Sequence, residues 1–117
     1  MDSVELKKRT KRFALEIIKF FQSLPKSDEA RTLGRQVLRS GTSVAANYRA
    51  VCRARSRAEF IAKMGIVVEE ADETVLWLEL LTDSQIVNQG RTDALIKEGN
   101  ELLAIFAASL RTSKMNK

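Results

Sequence analysis

The side chains in this sequence that can do chemistry are few, and the first group is a cluster of carboxylates. Glu69, Glu70, Asp72 and Glu73 are closely spaced, and Glu69 and Glu73 lie one turn apart if the segment is helical. Two such carboxylates can hold a metal, but di-metal bundles add a Glu-x-x-His motif and this chain has no His. We therefore expect no metal site, and we expect these acids to pair with arginines within or between chains.

The absence of His has a wider consequence for catalysis. It removes histidine acid–base chemistry and the Ser-His and Cys-His nucleophile arrangements. The one cysteine, Cys52, falls on an apolar helix face and is predicted to be a small core residue. The sequence therefore predicts a protein that is not an enzyme and has no cofactor.

Location follows from what the chain lacks. A single cysteine cannot form an internal disulfide, which fits a reducing compartment. The charged start has no signal-peptide core, and no apolar run reaches the roughly 18 residues of a membrane helix. We expect a soluble cytoplasmic protein with no membrane partner.

Basic residues form the strongest functional pattern. Residues 1–63 carry 15 Lys/Arg against 6 Asp/Glu, and residues 64–117 carry 5 against 9. On a helical wheel, five arginines of the second helix share an arc of about 80°, and further cations flank them in the first helix and before the third. The candidate nucleic-acid-binding residues are Arg31, Arg35, Arg39, Arg49, Arg53, Arg55, Arg57, Lys7, Lys8, Lys11 and Arg12.

Two interpretations of this stripe remain open. The cations can bind the phosphates of RNA or DNA by charge and counterion release. Alternatively, the arginines of helix two pair with the acidic second half of helix three on a neighbouring chain, and the protein is a scaffold or adaptor for another protein. Tyr48 projects from the apolar side of its helix, so stacking of that ring on bases is not expected.

The elements that must position these residues are helices. Apolar residues recur at helical spacing, Pro is rare, and Ala, Leu, Glu, Arg and Lys dominate. The spacing predicts helices over 4–24, 28–53, 57–82 and 92–112. Their lengths and short connections indicate an all-α, up-down-up-down four-helix bundle forming a single domain over 1–117.

Helix two contains an unusual cluster of small and polar residues. Gly41 lies on its apolar face and predicts a kink or a close helix crossing there. Ser40, Ser43 and Asn47 form a polar strip, which we interpret as a contact between helices. Ser56 and Glu59 have the spacing of a capping box, which predicts a helix start just after Ser56.

Helix three is apolar on more than one side. Ile66, Leu76 and Leu80 point away from its core stripe, and Trp77 widens that stripe. A lone small bundle covers only one face of a helix. Ile66, Leu76, Trp77 and Leu80 are therefore the candidate oligomer interface, and self-association is expected.

Several of these segments together resemble a known family. They are RSGTSVAAN at 39–47, SRAEFIAK at 56–63, EEADE at 69–73 and Trp77-Leu78. The chain resembles the bacterial four-helix bundle family first noticed as proteins encoded in intervening sequences of large-subunit ribosomal RNA genes. That family is similar to the accessory proteins of diversity-generating retroelements, which are pentameric basic bundles that bind nucleic acid and a reverse transcriptase.

The resemblance implies a homopentamer whose partners are RNA or DNA and a reverse transcriptase or another protein. It supplies no established activity. The sequence also departs from a common pattern of the family, in which an acidic residue and a glycine follow shortly after the asparagine. Here those positions are Ala50 and Val51, so any specific function of that acid is not expected in this chain.

Overall fold

Four long helices make up the described part of the chain. The computed structural model describes residues 1–116; Lys117, the last residue of the predicted domain, lies outside the described residues. The helices are α1 (Ser3–Gln22), α2 (Asp28–Cys52), α3 (Arg57–Asp83) and α4 (Gln89–Met115). Each packs mainly on its neighbour in sequence, and α1 and α4 close the bundle with the smallest contact. The predicted all-α four-helix bundle is confirmed.

Polar side chains fix where the first three helices begin. Asp2 caps α1 by accepting from the Glu5 N–H, and Ser27 caps α2 by accepting from the Ala30 N–H. Ser56 accepts from the Glu59 N–H at 3.0 Å, as predicted. The other half of the predicted capping box differs, because the Glu59 carboxylate accepts from the Arg55 N–H rather than from that of Ser56.

The connection between α3 and α4 is shorter than predicted. After α3, Gln85 takes a positive φ of 66°, and the N–H groups of Gln85 and Ile86 bond to the carbonyls of Thr82 and Leu81. This is a Schellman turn, which satisfies the free carbonyls at the end of α3. The predicted start of helix four at residue 92 is wrong by three residues, because Gly90 lies in the first turn of α4 and does not interrupt it.

The core is a continuous stack of apolar side chains along the bundle axis. Phe13, Ile17, Leu78, Leu102 and Phe106 are essentially inaccessible to solvent. Each fully buried side chain of this size contributes about 1.5–3 kcal/mol by leaving water.

The polar strip of α2 has two different roles. Ser40 is buried, donates to the Gln36 carbonyl and accepts from the Thr74 hydroxyl of α3 at 2.8 Å. This confirms an interhelical contact at Ser40. Asn47 instead donates to the Ser43 carbonyl of its own helix.

Gly41 marks the closest approach of α1 and α2. A Cβ atom at this position would lie 2.9 Å from both Cγ1 and Cγ2 of Ile17. The predicted close crossing is therefore confirmed, and α2 runs through it without a break. Gly34 lies about two turns before Gly41 in α2 and has a similar role. A Cβ atom there would meet the side chains of Phe21, at the end of α1, and Leu24, just after it.

We expect Gly41→Ala to lower the free energy of unfolding by on the order of 1 kcal/mol, because overpacking against the fully buried Ile17 exceeds the gain in helix propensity. Gly65→Ala is the matched control. Gly65 is also inside a long helix, but a Cβ there meets nothing within 4 Å. This control should raise stability by about 0.5–1 kcal/mol. Urea unfolding followed by circular dichroism measures both, and equal stabilisation by the two substitutions would contradict the close crossing.

Candidate nucleic-acid interface

The bundle separates the predicted arginine stripe into several environments. Arg39 turns toward α3, where its guanidinium contacts Glu70 at 3.0 Å and Glu73 at 2.8 Å. The acidic cluster of α3 is thus used, in part, within the same chain. Arg39 carries two carboxylate partners, and it is a weaker candidate for phosphate binding than the sequence indicates.

Two of the other predicted cations have partners at the end of the bundle. Arg55 lies 3.9 Å from Glu59 on the solvent-exposed turn before α3. Exposed pairs of this kind contribute little. Arg57 crosses to α4 and donates from Nε to the Ser113 carbonyl at 3.0 Å. Arg57 therefore ties α3 to the end of α4.

The remaining predicted cations divide into three places. Arg31 and Arg35 are exposed near the start of α2. Arg12 lines a shallow depression between α1 and α4, together with Arg9, Glu16 and Glu98. Arg49 and Arg53, at the end of α2, meet the three lysines of α1 in a single groove.

We call this feature the basic groove: Lys7, Lys8 and Lys11 of α1 facing Arg49 and Arg53 of α2. Its volume is about 580 Å³, and its floor is formed by Thr10, Thr42, Ala45 and Ala46, with Cys52 at one end. The antiparallel arrangement of α1 and α2 brings the start of one helix beside the end of the other. The small floor residues keep the space between them open.

The electrostatics of the basic groove are one-sided. No carboxylate lines it, and its five cations form no ion pair among residues 1–116. The two hydroxyls of the floor already donate to their own backbone, Thr10 to the Leu6 carbonyl and Thr42 to the Leu38 carbonyl. A ligand in the groove therefore meets positive charge and methyl groups rather than a pattern of free donors and acceptors.

Arg9, unlike the cations of the groove, is paired with carboxylates. Its guanidinium contacts Glu98 at 2.6 Å and Glu101 at 2.7 Å on α4. The hydrogen bond to Glu98 raises the pKa of Arg9 above its ordinary value. Arg9 thus holds α1 to α4 at the smallest helix contact of the bundle and is not free for a ligand.

Cys52 corrects one prediction. The thiol is exposed, not part of the core. Cys52 is the last residue of α2 and borders open space on two sides, so a position on the apolar side of the wheel does not guarantee burial. It lies between the basic groove and a second cavity at the end of the bundle, and it lines both.

The sequence did not predict this second cavity, which we call the end cavity. It has a volume of about 710 Å³, and it is lined by Ser3, Tyr48, Val51, Cys52, Ala54, Ser56, Arg57, Phe60, Ser113 and Asn116. Tyr48 and Phe60 bracket the tight turn between α2 and α3. The presence of an aromatic residue on each side of this short turn was the sequence signal that could have indicated the cavity.

Membrane and metal chemistry find no support in the described residues. No helix within residues 1–116 combines the length and apolarity needed to cross a membrane. Nor does that part of the chain bring three or more His, Cys, Asp or Glu side chains into an arrangement suited to a metal ion.

The fold and the groove together define a small four-helix bundle with a concentrated basic surface. The family model for 23S rRNA-intervening sequence proteins matches residues 2–108. The chain belongs to this family, and the resemblance seen in its sequence motifs is confirmed.

A crystal structure supports the same relationship. It is that of a protein of unknown function from the S23 ribosomal protein family of Bacteroides thetaiotaomicron VPI-5482. The two chains are 31% identical, with a TM-score of 0.87, and the match covers 95% of this chain and 99% of the other. A search of curated proteins gave no significant match.

Tyr48 provides a pH test of this end of the bundle. Burial raises the pKa of its hydroxyl above the ordinary value, with a further contribution from the neighbouring Cys52. Since the folded state favours the neutral phenol, its contribution to stability is complete below the unfolded pKa of about 10 and is lost as the pH rises above it.

We therefore expect wild-type protein to lose stability above about pH 10 more steeply than Tyr48→Phe does. Denaturant unfolding at a series of alkaline pH values measures the difference, and lysine titration cancels between the two proteins. Tyr48 is the one tyrosine of the chain, so tyrosinate absorbance reports its pKa directly. An absorbance titration with the ordinary phenol pKa would contradict the burial of this hydroxyl.

Proposed function

We propose that the protein is a non-enzymatic, self-associating four-helix bundle that binds RNA or DNA through the basic groove without reading the base sequence. The observation that carries this proposal is the groove itself: Lys7, Lys8, Lys11, Arg49 and Arg53 converge with no carboxylate among them. Like charges held together repel one another, and a polyanion removes that repulsion. The absence of His supports a binding role rather than catalysis.

The chemistry of the groove favours phosphate over bases as the bound group. Ammonium and guanidinium groups recognise phosphate oxygens by charge and hydrogen bonding. The floor offers the methyl groups of Ala45 and Ala46 and two hydroxyls that are already engaged. Contacts of this kind fix position on a nucleic acid backbone and carry no sequence information.

The family name favours RNA as the first ligand to test. It associates members of the family with intervening sequences of 23S rRNA. Binding driven by up to five cations should weaken with salt, with a slope of log K against log salt near −3.5 for a single strand and −4.5 for a duplex by counterion release. These slopes give the number of engaged cations.

Self-association is the second part of the proposal. Leu76, Leu80 and Ile66 of α3 are 46%, 39% and 37% exposed in the single chain. We call these three side chains the α3 strip; Leu76 and Leu80 lie one turn apart within it, and an exposed apolar patch of this kind is typical of a contact surface. Trp77 differs from these three, since it is half-buried and packs on the core. A pentamer is the assembly that the resemblance implies, and it would place five basic grooves on one particle.

The same α3 strip supports the alternative function, a scaffold or adaptor for a different protein. Leu76 and Leu80 lie next to Glu69 and Glu73 on the outer side of α3, an apolar strip with an acidic border. The purified protein distinguishes the two: a monomer in solution would favour a foreign partner for this strip.

For the groove, we expect the combined variant Lys8→Gln, Lys11→Gln, Arg49→Gln and Arg53→Gln to weaken single-stranded RNA binding at low salt and to reduce the salt slope by about 3. The matched control removes the same charge elsewhere, with Arg31→Gln, Arg35→Gln, Lys97→Gln and Arg111→Gln. Fluorescence anisotropy titrations at several salt concentrations measure both. Equal losses in the two variants would show that net charge, not the groove, drives binding.

For the α3 strip, Leu76→Glu combined with Leu80→Glu should lower the particle mass seen by light scattering, because buried like charges oppose association. Leu15→Glu is the control, since Leu15 is an exposed leucine of α1 outside the strip. An unchanged mass in the double variant would place the interface elsewhere.

A further inference from the structure

The end cavity adjoins the basic groove, and the two share one wall. Cys52, the last residue of α2, lines both. Chemically the two spaces differ. The groove contains five cations, whereas within residues 1–116 Arg57 is the one charged residue that lines the end cavity, and its guanidinium donates to the Ser113 carbonyl. A ligand spanning both would be strongly anionic in one part and uncharged in the other.

The walls of the end cavity combine an apolar surface with small polar groups. Val51, Ala54 and the half-buried Phe60 supply the apolar part. The polar part consists of the hydroxyls of Ser3, Ser56 and Tyr48 and the amide of Asn116. Cavities of about 300–1,000 Å³ with mostly apolar walls and a few polar groups are typical of small-molecule sites.

Tyr48 supplies a specific polar contact. Its ring is packed in the core against Phe106, with ring centroids 5.2 Å apart, and only 4% of the residue is exposed. Tyr48 lines the end cavity, and its hydroxyl lies at the side where Cys52 lines the same cavity. Its neighbour there is the Cys52 thiol, which is a weak hydrogen-bonding group. A ligand nitrogen or oxygen is a stronger partner for this hydroxyl.

We propose that the end cavity receives one base of a single-stranded nucleic acid whose phosphates lie in the basic groove. The inference rests on the proposed function and adds a base-binding site to it. A nucleobase is planar, uncharged and edged with hydrogen-bonding groups, and it is attached to a polyanion. The face of Phe60 stacks on the base, the Tyr48 hydroxyl bonds to its edge, and the sugar–phosphate chain passes Cys52 into the groove. Every base can stack on an aromatic ring, so the site does not distinguish one base sequence from another. It distinguishes a strand that has an unpaired base at this position from a strand that lacks one.

The test compares a short single-stranded DNA oligonucleotide with an oligomer of the same length made entirely of abasic units. Both carry the same phosphates, so the ratio of their affinities isolates the base. We expect wild-type protein to bind the natural oligonucleotide about tenfold more tightly, the range that stacking on one aromatic side chain provides. Phe60→Leu and Tyr48→Phe, which preserve apolar bulk and ring packing, should each lower this ratio severalfold and leave abasic binding unchanged.

Phe21→Leu is the matched control, because Phe21 is a half-buried aromatic residue at the opposite end of the bundle. It should leave the ratio at the wild-type value, and thermal unfolding verifies that each variant is folded. Equal wild-type binding of the two oligomers would overturn the base site and leave phosphate binding by the groove intact. A ratio unaffected by Phe60→Leu and Tyr48→Phe would also overturn it. Failure to bind either oligomer at low salt would overturn the proposed function together with this inference.

Discussion

The contact between α1 and α2 at Gly41 and Ile17 is the constraint on which the rest of the surface depends. With no side chain on Gly41, Ile17 seats directly against the backbone of α2. This close approach sets the spacing of the two helices, and therefore the spacing of the lysines on one and the arginines on the other. The energy that holds five like charges together comes from apolar packing below them, since burial of side chains such as Phe13 and Ile17 exceeds the screened repulsion between exposed cations.

Position in the bundle decides whether a cation has an acidic partner. Where a cation lies beside an acidic helix, it is neutralised: Arg39 by Glu70 and Glu73, and Arg9 by Glu98 and Glu101. Between α1 and α2 the groove walls offer no acid, and its cations face one another. The charge asymmetry of the sequence thus becomes a spatial one. Arg9 and Arg39 of the basic first half pair with acids of the second half, whereas the five groove cations lie between the two basic helices.

The fold was predictable from sequence because its signals are local. Helical periodicity and the Ser56 cap define the first three helices to within about two residues of the structure. In the structure α4 begins three residues before the predicted start, because Gly90 is a weak signal for a loop. Glycine interrupts a helix interior but is tolerated in the first turn, where the N–H groups lack helical partners. Gly41 was informative because a glycine on an apolar helix face lets a neighbouring helix approach closely, and that packing offsets its low helix propensity.

The site was less predictable, because a helical wheel shows direction but not neighbours. The wheel placed Arg39 with Arg49 and Arg53 on one face. In the structure, Arg39 pairs with acids of α3, whereas Arg49 and Arg53 line the groove together with the lysines of α1. The wheel also assigned Cys52 to the core, because it does not show the open spaces that border the last residue of α2. To predict the end cavity from the sequence, one would have to know that the starts of α1 and α3 meet the ends of α2 and α4.

The arrangement of these surfaces bears on how binding and assembly can coexist. The basic groove is lined by α1 and α2 alone, whereas the exposed apolar strip belongs to α3. Association through α3 therefore requires no residue of the groove, and the groove needs no second subunit to be complete. In the proposed assembly, affinity would depend on the number of grooves rather than on a site built between subunits, because several weak phosphate sites on one particle would engage the same strand at a high effective concentration. Such a particle would bind a long polyanion tightly and a short one weakly, so it would select its ligand by chain length rather than by base sequence.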